Sequence, residues 1–369
     1  MDSGLITGVV YIDLRKAFDT VDHAIMLQKL KGIGIAGVHL SWFASYLSSR
    51  KQCTVIGKSS STDRKVTVGV PQGSILGPLL FTIYINELPC CLKNTNVCLF
   101  ADDTALYCSS KTATDLQGLL NDDLYRLAQW LSDHKLTLNI SKTKFMVIGG
   151  SKRLNSFHHV ELKINEEPLD RVNSFKYLGV FINENLKWLD HVDYICKKAN
   201  KRLGILRRIK HLLPRATREL YVKTMIIPIL DYGDIIWGDK GNEVLMSRIQ
   251  SIQNAAAKII LDKPKYSSAT EALDELGWKK LSVRRRLHRL IFVYKGVNGL
   301  LDWDFGLSSF ADTHNYNTRF KDNFRIPRSH SNWGQYRFSS YCISEWNSIP
   351  SNLRELSFPR FKAALNSYI

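Results

Sequence analysis

Short apolar runs bounded by polar residues dominate the first 150 residues of the chain. Residues 9–12 and 97–100 are β-prone runs of this kind, and an acidic turn joins the second run to another at 104–108. The second and third runs are therefore expected to form a β-hairpin, with the first run as a neighbouring strand.

Helical patterns separate and follow these strands. The glycine- and proline-rich segment 69–78 predicts a tight turn, and Ser74 within it can cap a helix that runs to residue 85. Such a loop suits nucleotide binding, but a plain surface turn has the same composition. A second helix is predicted where leucines recur at helical spacing between residues 116 and 131.

Acidic side chains stand at the ends of the predicted strands. Asp13 ends the first run, and Asp102 and Asp103 occupy the hairpin turn. Adjacent carboxylates repel one another unless a cation lies between them, and Mg²⁺ prefers oxygen ligands. The three aspartates can therefore hold two ions about 3.5–4 Å apart, as phosphoryl transfer requires. A second pair, Asp122 and Asp123, lies in the predicted leucine helix and is expected on its surface.

Charge distinguishes the two parts of the chain. The 369 residues carry 51 basic and 34 acidic side chains, a net charge of +17, and their 44% apolar content excludes a disordered tail protein. Residues 1–150 have a net charge of +3 and residues 151–369 one of +14. No run reaches the roughly 20 apolar residues of a membrane span, so nucleic acid is the expected partner. Seven cysteines without zinc spacing favour reduced thiols in an intracellular protein.

The basic excess is densest in residues 195–223, which contain ten basic side chains and one acid. Apolar residues at helical spacing predict a helix here with a basic opposite face, ended by Pro214. Because acids are almost absent, that face favours phosphate contacts over a merely solvated surface. Arginines between 284 and 289 form a second cluster. Residues 316–338 alternate basic and aromatic side chains, which fits either base stacking or ordinary packing.

Five motifs stand in order along residues 5–185. They read YIDLRKAFDTVDH, GVPQGSILGPLLF, FADDTALY, LNISKTKFMVIG and FKYLGVFI. This order resembles motifs A to E of reverse transcriptases, and the wording resembles the non-LTR (LINE-type) retrotransposon polymerases of the jockey and CR1 groups. The strings YNTRFKDNFRIP and SEWNSIPSNLRE near the C-terminus resemble the same elements but carry no diagnostic chemistry.

The resemblance implies an α+β fold of the right-hand polymerase type. Residues 1–185 would form the palm, a small antiparallel sheet with helices that carries motifs A to E. Residues 186–240 would form a basic helical thumb. Residues 241–369 would form a region that contacts nucleic acid, helical to about residue 298 and irregular beyond it. Only 12 residues precede Asp13, so the fingers are expected to be largely missing and the chain truncated before motif A.

The resemblance also assigns roles to individual residues. Asp13, Asp102 and Asp103 would bind two Mg²⁺ ions, with Mn²⁺ as an alternative, and Lys142 would neutralise or protonate the leaving pyrophosphate. The incoming nucleotide would contact Phe18, Gln72 and Gly73, with Phe18 blocking a ribose 2′-hydroxyl. The primer grip would comprise Tyr177, Leu178 and Gly179. The nucleic-acid backbone would be held by Lys197, Lys198, Lys201, Arg202, Arg207 and Arg208.

The implied reaction is RNA-directed synthesis of DNA, in which a primer 3′-hydroxyl attacks the α-phosphate of a dNTP. The partners would be an RNA template, a nicked chromosomal DNA primer and dNTPs, with no membrane, and the compartment would be the nucleus. The alternative is an inactive truncated product of the element that only binds RNA or DNA. A viral RNA-directed RNA polymerase is disfavoured by FADD after PQGSILGP and by the bulky Phe18. The wording of motifs A and B fits group II intron and telomerase enzymes less well.

Overall fold

The computed structural model describes residues 4–238, 241–301, 308, 323–326, 328, 329, 331–335 and 338–369. The chain divides into two compact units, one from residue 4 to 186 and the other from 187 to 369. The first mixes strands with helices and the described part of the second is built from helices, so the α+β class expected from the sequence is confirmed. The finer domain boundaries at 185 and 240 remain predictions.

The strands of the first unit form one five-stranded sheet and four two-stranded ribbons. They are β1 (Ile6–Ile12), β2 (Arg50–Gln52), β3 (Val55–Ile56), β4 (Ser59–Ser60), β5 (Arg64–Val66), β6 (Asn96–Phe100), β7 (Asp103–Ser110), β8 (Lys144–Ile148), β9 (Lys163–Ile164), β10 (Glu167–Pro168), β11 (Asp170–Arg171), β12 (Ser174–Tyr177) and β13 (Val180–Asn183). The large sheet has the order β11-β8-β1-β7-β6. Its pairs are antiparallel except for β11 with β8.

Strand β1 occupies the centre of the sheet because its side chains are apolar on both faces. Ile6, Val10 and Ile12 belong to the main hydrophobic core on one face. Tyr11 lies on the other face, where its ring stacks on Phe175 of β12 at 4.1 Å between centroids. The alternation of a strand thus places two packed layers around β1 and fixes where its C-terminal end emerges.

Helices pack on the main-core face of the sheet. They are α1 (His23–Gly32), α2 (Gly37–Leu47), α3 (Leu76–Ile85), α4 (Ala113–Asp133) and the single turn α5 (Ser151–Leu154). The predicted leucine helix is confirmed as α4, which buries Leu116, Leu120 and Leu124 in the core. The predicted cap is confirmed too, since the Ser74 hydroxyl accepts a hydrogen bond of 2.9 Å from the Gly77 N–H in the first turn of α3.

The expected surface position of Asp123 is wrong. Its side chain is fully buried, and its carboxylate accepts hydrogen bonds from the backbone N–H groups of Lys93, Asn94 and Thr95 at 2.8–3.0 Å. The Asp123 carboxylate therefore anchors the loop before β6 to α4, because buried N–H groups need acceptors. Asp122 does lie on the surface, where it pairs with Arg126.

A projecting arm connects α2 to α3. Its stem pairs β2 with β5 and its tip pairs β3 with β4, and every residue from 50 to 65 is exposed. Lys51 stands directly opposite Lys65 in the stem. Like charges at such a position destabilise a ribbon, and Asp63 lies 3.8 Å from the Lys51 ammonium and offsets part of this repulsion.

The second unit contains eleven described helices. They are α6 (Leu189–Ile209), α7 (Arg215–Met225), α8 (Ile227–Asp231), α9 (Asp234–Trp237), α10 (Glu243–Ile260), α11 (Ala269–Glu275), α12 (Leu281–Val297), α13 (Asn332–Gln335), α14 (Phe338–Asn347), α15 (Ser351–Arg354) and α16 (Phe358–Tyr368). The predicted basic helix is confirmed as α6, whose apolar stripe is buried while Lys197, Lys198 and Lys201 are exposed. Within the described residues, no helix combines the length and apolar character needed to cross a bilayer.

One sequence-based expectation for this unit is wrong. The chain was expected to be irregular beyond residue 298, yet Trp346 of α14 and Phe361 of α16 pack on Tyr294 of α12. The arginine cluster lies on α12, where Arg285 and Arg289 are 1% and 2% exposed. Arginine aliphatic stems bury well once the guanidinium has partners. The aromatic and basic stretch 316–338 lies largely outside the described residues.

Candidate active site

The three predicted carboxylates meet where β1 ends beside the β6–β7 hairpin. Ile12 pairs with Thr104 across the sheet, so Asp13, the next residue, emerges beside Asp103. Asp103 pairs with Phe100, which leaves Asp102 in a two-residue turn. The left-handed backbone of Ala101, with φ of 53°, closes this turn. Register therefore brings together residues that are 90 positions apart in the sequence.

Negative charge accumulates where the three carboxylates meet. The pKa of Asp103 is raised, first by its partial burial and then by the negative charges of Asp102 and Asp13. Within the described part of the chain, none of the three carboxylates forms an ion pair with a basic side chain. A set of uncompensated carboxylate oxygens is the donor type that divalent cations such as Mg²⁺ and Mn²⁺ prefer. The residues therefore fit a divalent cation.

The carboxylates of Asp13, Asp102 and Asp103 are spaced more widely than the ligands of a preassembled metal site. Among described residues, the ligand atoms of one triad alone, Asp231, Asp234 and His288 in the second unit, all lie within 4.8 Å of one another. That triad is already charge-balanced, because His288 bonds to Asp234 at 2.6 Å and Arg284 pairs with Asp231. The ligand atoms of the three strand-end aspartates do not all lie within that distance of one another.

Sequence reasoning missed the polar turn that holds Asp13. The Asn139 amide donates to Asp13 Oδ2 at 2.8 Å, and the Asn139 backbone N–H donates to the Asp13 carbonyl at 2.8 Å. The Asp13 N–H in turn donates to the hydroxyl of buried Thr143 at 3.2 Å. Lys142 is exposed on the same turn. The motif D string LNISKTK contained these polar residues, but only pairing across the sheet shows that they surround Asp13.

The predicted nucleotide-binding residues lie on a loop tied to the segment after Asp13. The Val70 N–H donates to the Phe18 carbonyl at 2.8 Å, and the Gln72 amide donates to the Asp19 carboxylate at 2.8 Å. Gly69 has a φ of 89°, and a Cβ there would lie 2.7 Å from the Asp19 carbonyl oxygen. The loop can approach this closely only with glycine at that position.

Asp19, which follows Phe18, and the loop from Gly69 to Gln72 border an open cavity of about 510 Å³. Phe18 is half-buried, and its ring packs on Phe81 of α3 at 4.6 Å between centroids. Gln72, Arg50 and Lys51 line the cavity where the root of the arm meets the loop. Gly73, with φ of 81° and open surroundings, is exposed. The loop contributes the polar Gln72 to this cavity, and the arm contributes the basic Arg50 and Lys51.

The predicted primer-grip residues form the tip of the β12–β13 hairpin. Tyr177 pairs with Val180, and Leu178 and Gly179 turn between them with φ of 45° and 84°. The Tyr177 ring lies 5.4 Å from that of Tyr11. Burial raises the pKa of Tyr177 to about 12, and Asp103 contributes to this rise. The Tyr177 hydroxyl is thus within electrostatic range of the Asp103 carboxylate.

The predicted backbone-binding residues all lie on α6 in the second unit. Lys197, Lys198, Lys201, Arg207 and Arg208 are exposed. Arg202 differs from them, because its guanidinium donates to the carbonyl of Met225 at the end of α7. Its charge is therefore partly committed to capping that helix.

Residues 2–182 match the family model described as reverse transcriptase (RNA-dependent DNA polymerase), and this part of the chain belongs to that family. Three curated relatives, all from Drosophila melanogaster, extend the similarity. The chain is 32% identical to the probable RNA-directed DNA polymerase from transposon BS over 71% of its length and 30% of the relative's. It is 28% identical to the one from transposon X-element, over 70% and 29%. It is 25% identical to the RNA-directed DNA polymerase from mobile element jockey, over 73% and 30%.

The expected kinship with non-LTR retrotransposon reverse transcriptases is thereby confirmed. The chain spans about a third of the length of these relatives. The match to the family model covers all five motifs and the whole of the strand-end carboxylate site.

Proposed function

We propose that this chain carries the polymerase site of a non-LTR retrotransposon and copies RNA into DNA. The observation that carries the proposal is the convergence of Asp13 with Asp102 and Asp103 at one end of the sheet, inside the matched reverse transcriptase segment. The first unit is then the palm of a right-hand polymerase, and α6 with its neighbours is the thumb.

The three aspartates hold the reacting groups in place for an in-line displacement. The primer 3′-oxygen forms a bond to the α-phosphorus of a dNTP, the bond to the bridging oxygen breaks, and pyrophosphate leaves. Two divalent cations, Mg²⁺ or Mn²⁺, would bind at Asp13, Asp102 and Asp103 and supply Lewis-acid stabilisation of the attacking and leaving oxygens. Lys142, exposed on the turn that holds Asp13, neutralises the leaving pyrophosphate or donates a proton to it.

Nucleotide selection falls to the loop beside Asp13. Phe18 lies five positions after Asp13 and is fixed by Phe81 and by the Val70 N–H. A rigid aromatic edge at this place collides with a ribose 2′-hydroxyl and so favours dNTPs. Gln72 and Gly73 present an amide and an open backbone to the base and sugar.

Tyr177, Leu178 and Gly179 place the primer terminus, since Tyr177 reaches the environment of Asp103. The exposed lysines and arginines of α6 bind the phosphate backbone of the RNA–DNA hybrid. The primer is a nicked chromosomal strand, which locates the reaction in the nucleus.

Primer extension on the full chain tests this function. An oligo(dT)-primed poly(A) RNA is supplied with dTTP and Mg²⁺ or Mn²⁺, and the double variant Asp102→Asn, Asp103→Asn is the comparison. We expect extension by the wild-type chain and none by the variant. Failure of the wild type to extend, with salt-sensitive RNA binding that both proteins share, would instead indicate a fragment that only binds nucleic acid.

A further inference from the structure

We propose that Asn139 is the positioning residue of the metal-binding carboxylate, holding Asp13 in the orientation that a divalent cation needs. The inference rests on the proposed polymerase function and concerns one contact within its site. That contact is the hydrogen bond of 2.8 Å from the Asn139 amide to Asp13 Oδ2.

A jump in strand register creates the contact. Tyr11 pairs with Lys144, but the next contact between the two chain segments joins Leu14 to Leu138. Two residues, Ile12 and Asp13, therefore face the five residues 139–143. The surplus residues form a turn from Asn139 to Thr143 that lies beside Asp13.

The turn from Asn139 to Thr143 fixes Asp13 at three points. Its carbonyl accepts from the Asn139 N–H, its N–H donates to the Thr143 hydroxyl, and its Oδ2 accepts from the Asn139 amide. The Asn139 carbonyl closes the turn by accepting from the Thr143 N–H at 2.9 Å. Backbone and carboxylate are thus oriented by the same short segment.

The orientation of the amide is itself fixed. The Ser141 hydroxyl donates to Asn139 Oδ1 at 2.9 Å, so the amide nitrogen is the end that faces Asp13. Ser141, Asn139 and Asp13 form a chain of hydrogen bonds that ends at the carboxylate. Such outer partners orient a ligand, and their loss typically weakens metal binding about 10–100-fold.

Asparagine suits this position better than a basic residue. A lysine or arginine at 2.8 Å from Asp13 would cancel the negative charge that attracts a cation, whereas an amide donates a hydrogen bond without a net charge. Oδ1 of Asp13 has no hydrogen-bond donor among the described residues and is left for the cation. The contact therefore orients Asp13 without competing for it.

Mn²⁺ binding to the full chain tests the inference without any catalytic readout. The free Mn²⁺ signal is followed by electron paramagnetic resonance, and the site is defined as the binding that Asp13→Asn removes. Asn139→Ala is expected to weaken Mn²⁺ binding at this site about tenfold or more. Ser141→Ala, which frees the amide to turn, is expected to weaken it less, and it tests the same chain of bonds should Asn139→Ala fail to fold.

Asn121→Ala is the matched control. The Asn121 amide also bonds at both ends, to the Glu161 carbonyl at 3.3 Å and from the Lys163 N–H at 3.0 Å, but away from the carboxylates. The Asn121→Ala variant should have a lower melting temperature than the wild type but the same Mn²⁺ affinity. Unchanged Mn²⁺ affinity in both Asn139→Ala and Ser141→Ala, or an equal loss in Asn121→Ala, would overturn the assignment.

Primer extension then separates positioning from general damage. In Asn139→Ala, extension should need about tenfold more Mg²⁺ for half-maximal rate and recover at high Mg²⁺. A uniformly lower rate at every Mg²⁺ concentration would indicate a structural defect instead. If the wild-type chain extends no primer, the polymerase proposal fails, but the Mn²⁺ titration still decides the role of Asn139.

Discussion

Phe18 combines a packing role with an expected role in sugar selection. Its ring contacts Phe81 and the main core, while its half-buried edge stays near the nucleotide loop. Phe18→Val keeps an apolar side chain but removes the ring edge that would meet a 2′-hydroxyl. We expect the ratio of rNTP to dNTP incorporation to rise at least about tenfold, which is the scale of steric discrimination in a pocket.

Single-nucleotide incorporation with rUTP and dTTP on an RNA template measures this ratio. Phe43→Val is the control, because Phe43 is also partly buried against the same core but lies on α2. An unchanged ratio in Phe18→Val, with dTTP incorporation retained, would remove Phe18 from sugar selection.

His288 should make the stability of the second unit depend on pH. The hydrogen bond to the Asp234 carboxylate raises the pKa of His288 above its usual value, against a smaller effect of burial. A raised folded pKa means that the stabilisation is fully present below the unfolded pKa of about 6.5 and is lost as pH rises through the folded pKa. His288→Gln removes this charged partner of Asp234.

Urea unfolding of the full chain at about pH 5.5 and about pH 8.5 checks the sign. The free energy of unfolding lost in His288→Gln should be larger at the lower pH. A loss of equal size at both values would show that the imidazolium charge does not matter.

Residue type and position pointed to the three proposed catalytic carboxylates but not to the residues that support them. Asp13, Asp102 and Asp103 stand at strand ends, a local feature that can be read from the sequence. Asn139 and Thr143 reach Asp13 across 126 and 130 positions, through a register jump that no local pattern encodes. The pairing geometry of the sheet had to be known first.

At the scale of elements, Asp123 joins the long helix α4 to the loop that leads into β6. Its buried carboxylate accepts from three backbone N–H groups and from the Thr95 hydroxyl. Asp123→Ala leaves those buried donors without an acceptor and is expected to cost about 3 kcal/mol of unfolding free energy. Asp122→Ala, one position earlier and exposed, should leave that free energy nearly unchanged.

Chemical denaturation of the two variants compares them directly, and hydrogen exchange of residues 93–95 localises the effect. Faster exchange of these amides is expected in Asp123→Ala alone. Equal stability of the two variants would contradict the anchoring role of Asp123.

The spacing of apolar residues predicted where helices form better than it predicted which of their side chains are buried. The leucines of α4 and the apolar stripe of α6 predicted both helices, because each helix has one buried face. The burial of the α12 arginines could not be predicted, because Arg289 meets Glu345 at 2.7–2.8 Å from another helix 56 positions away. A tertiary partner decides whether such a residue is exposed.

At the scale of the whole molecule, the positive charge lies mainly beyond residue 150, where the net charge is +14. Lys197, Lys198 and Lys201 are exposed on α6 and available to phosphates. Replacing all three with alanine should reduce the salt dependence of single-stranded RNA binding, lowering the slope of log K against log salt by about 2. The slope falls because a protein that contacts fewer phosphates releases fewer counterions on binding.

Fluorescence anisotropy with a labelled RNA at several salt concentrations gives the slope. A triple alanine variant at Lys31, Lys93 and Lys111 removes the same charge from exposed positions in the first unit. Equal changes in both triple variants would mean that net charge, rather than the α6 surface, governs binding.

The sequence carried the overall plan of the chain because the motifs lie in order within one unit and the basic helix lies in the other. Composition could not reveal that helices continue through α14 and α16, since their packing depends on Trp346 and Phe361 meeting α12. The α+β class was implied by the family resemblance of the motifs, whereas the extent of the second core followed only from contacts.

Single-nucleotide incorporation by Asp102→Asn, set beside Asp122→Asn, tests the central claim most directly. Both variants remove one carboxylate from an Asp–Asp pair, but one pair lies in the hairpin turn and the other on α4. We expect Asp102→Asn to lower dTTP incorporation on an RNA template by about a thousandfold or more, since a carboxylate that stabilises the transition state is lost. Asp122→Asn should incorporate dTTP like the wild type. Equal incorporation by the two variants would contradict the carboxylate site and, with it, the proposed polymerase.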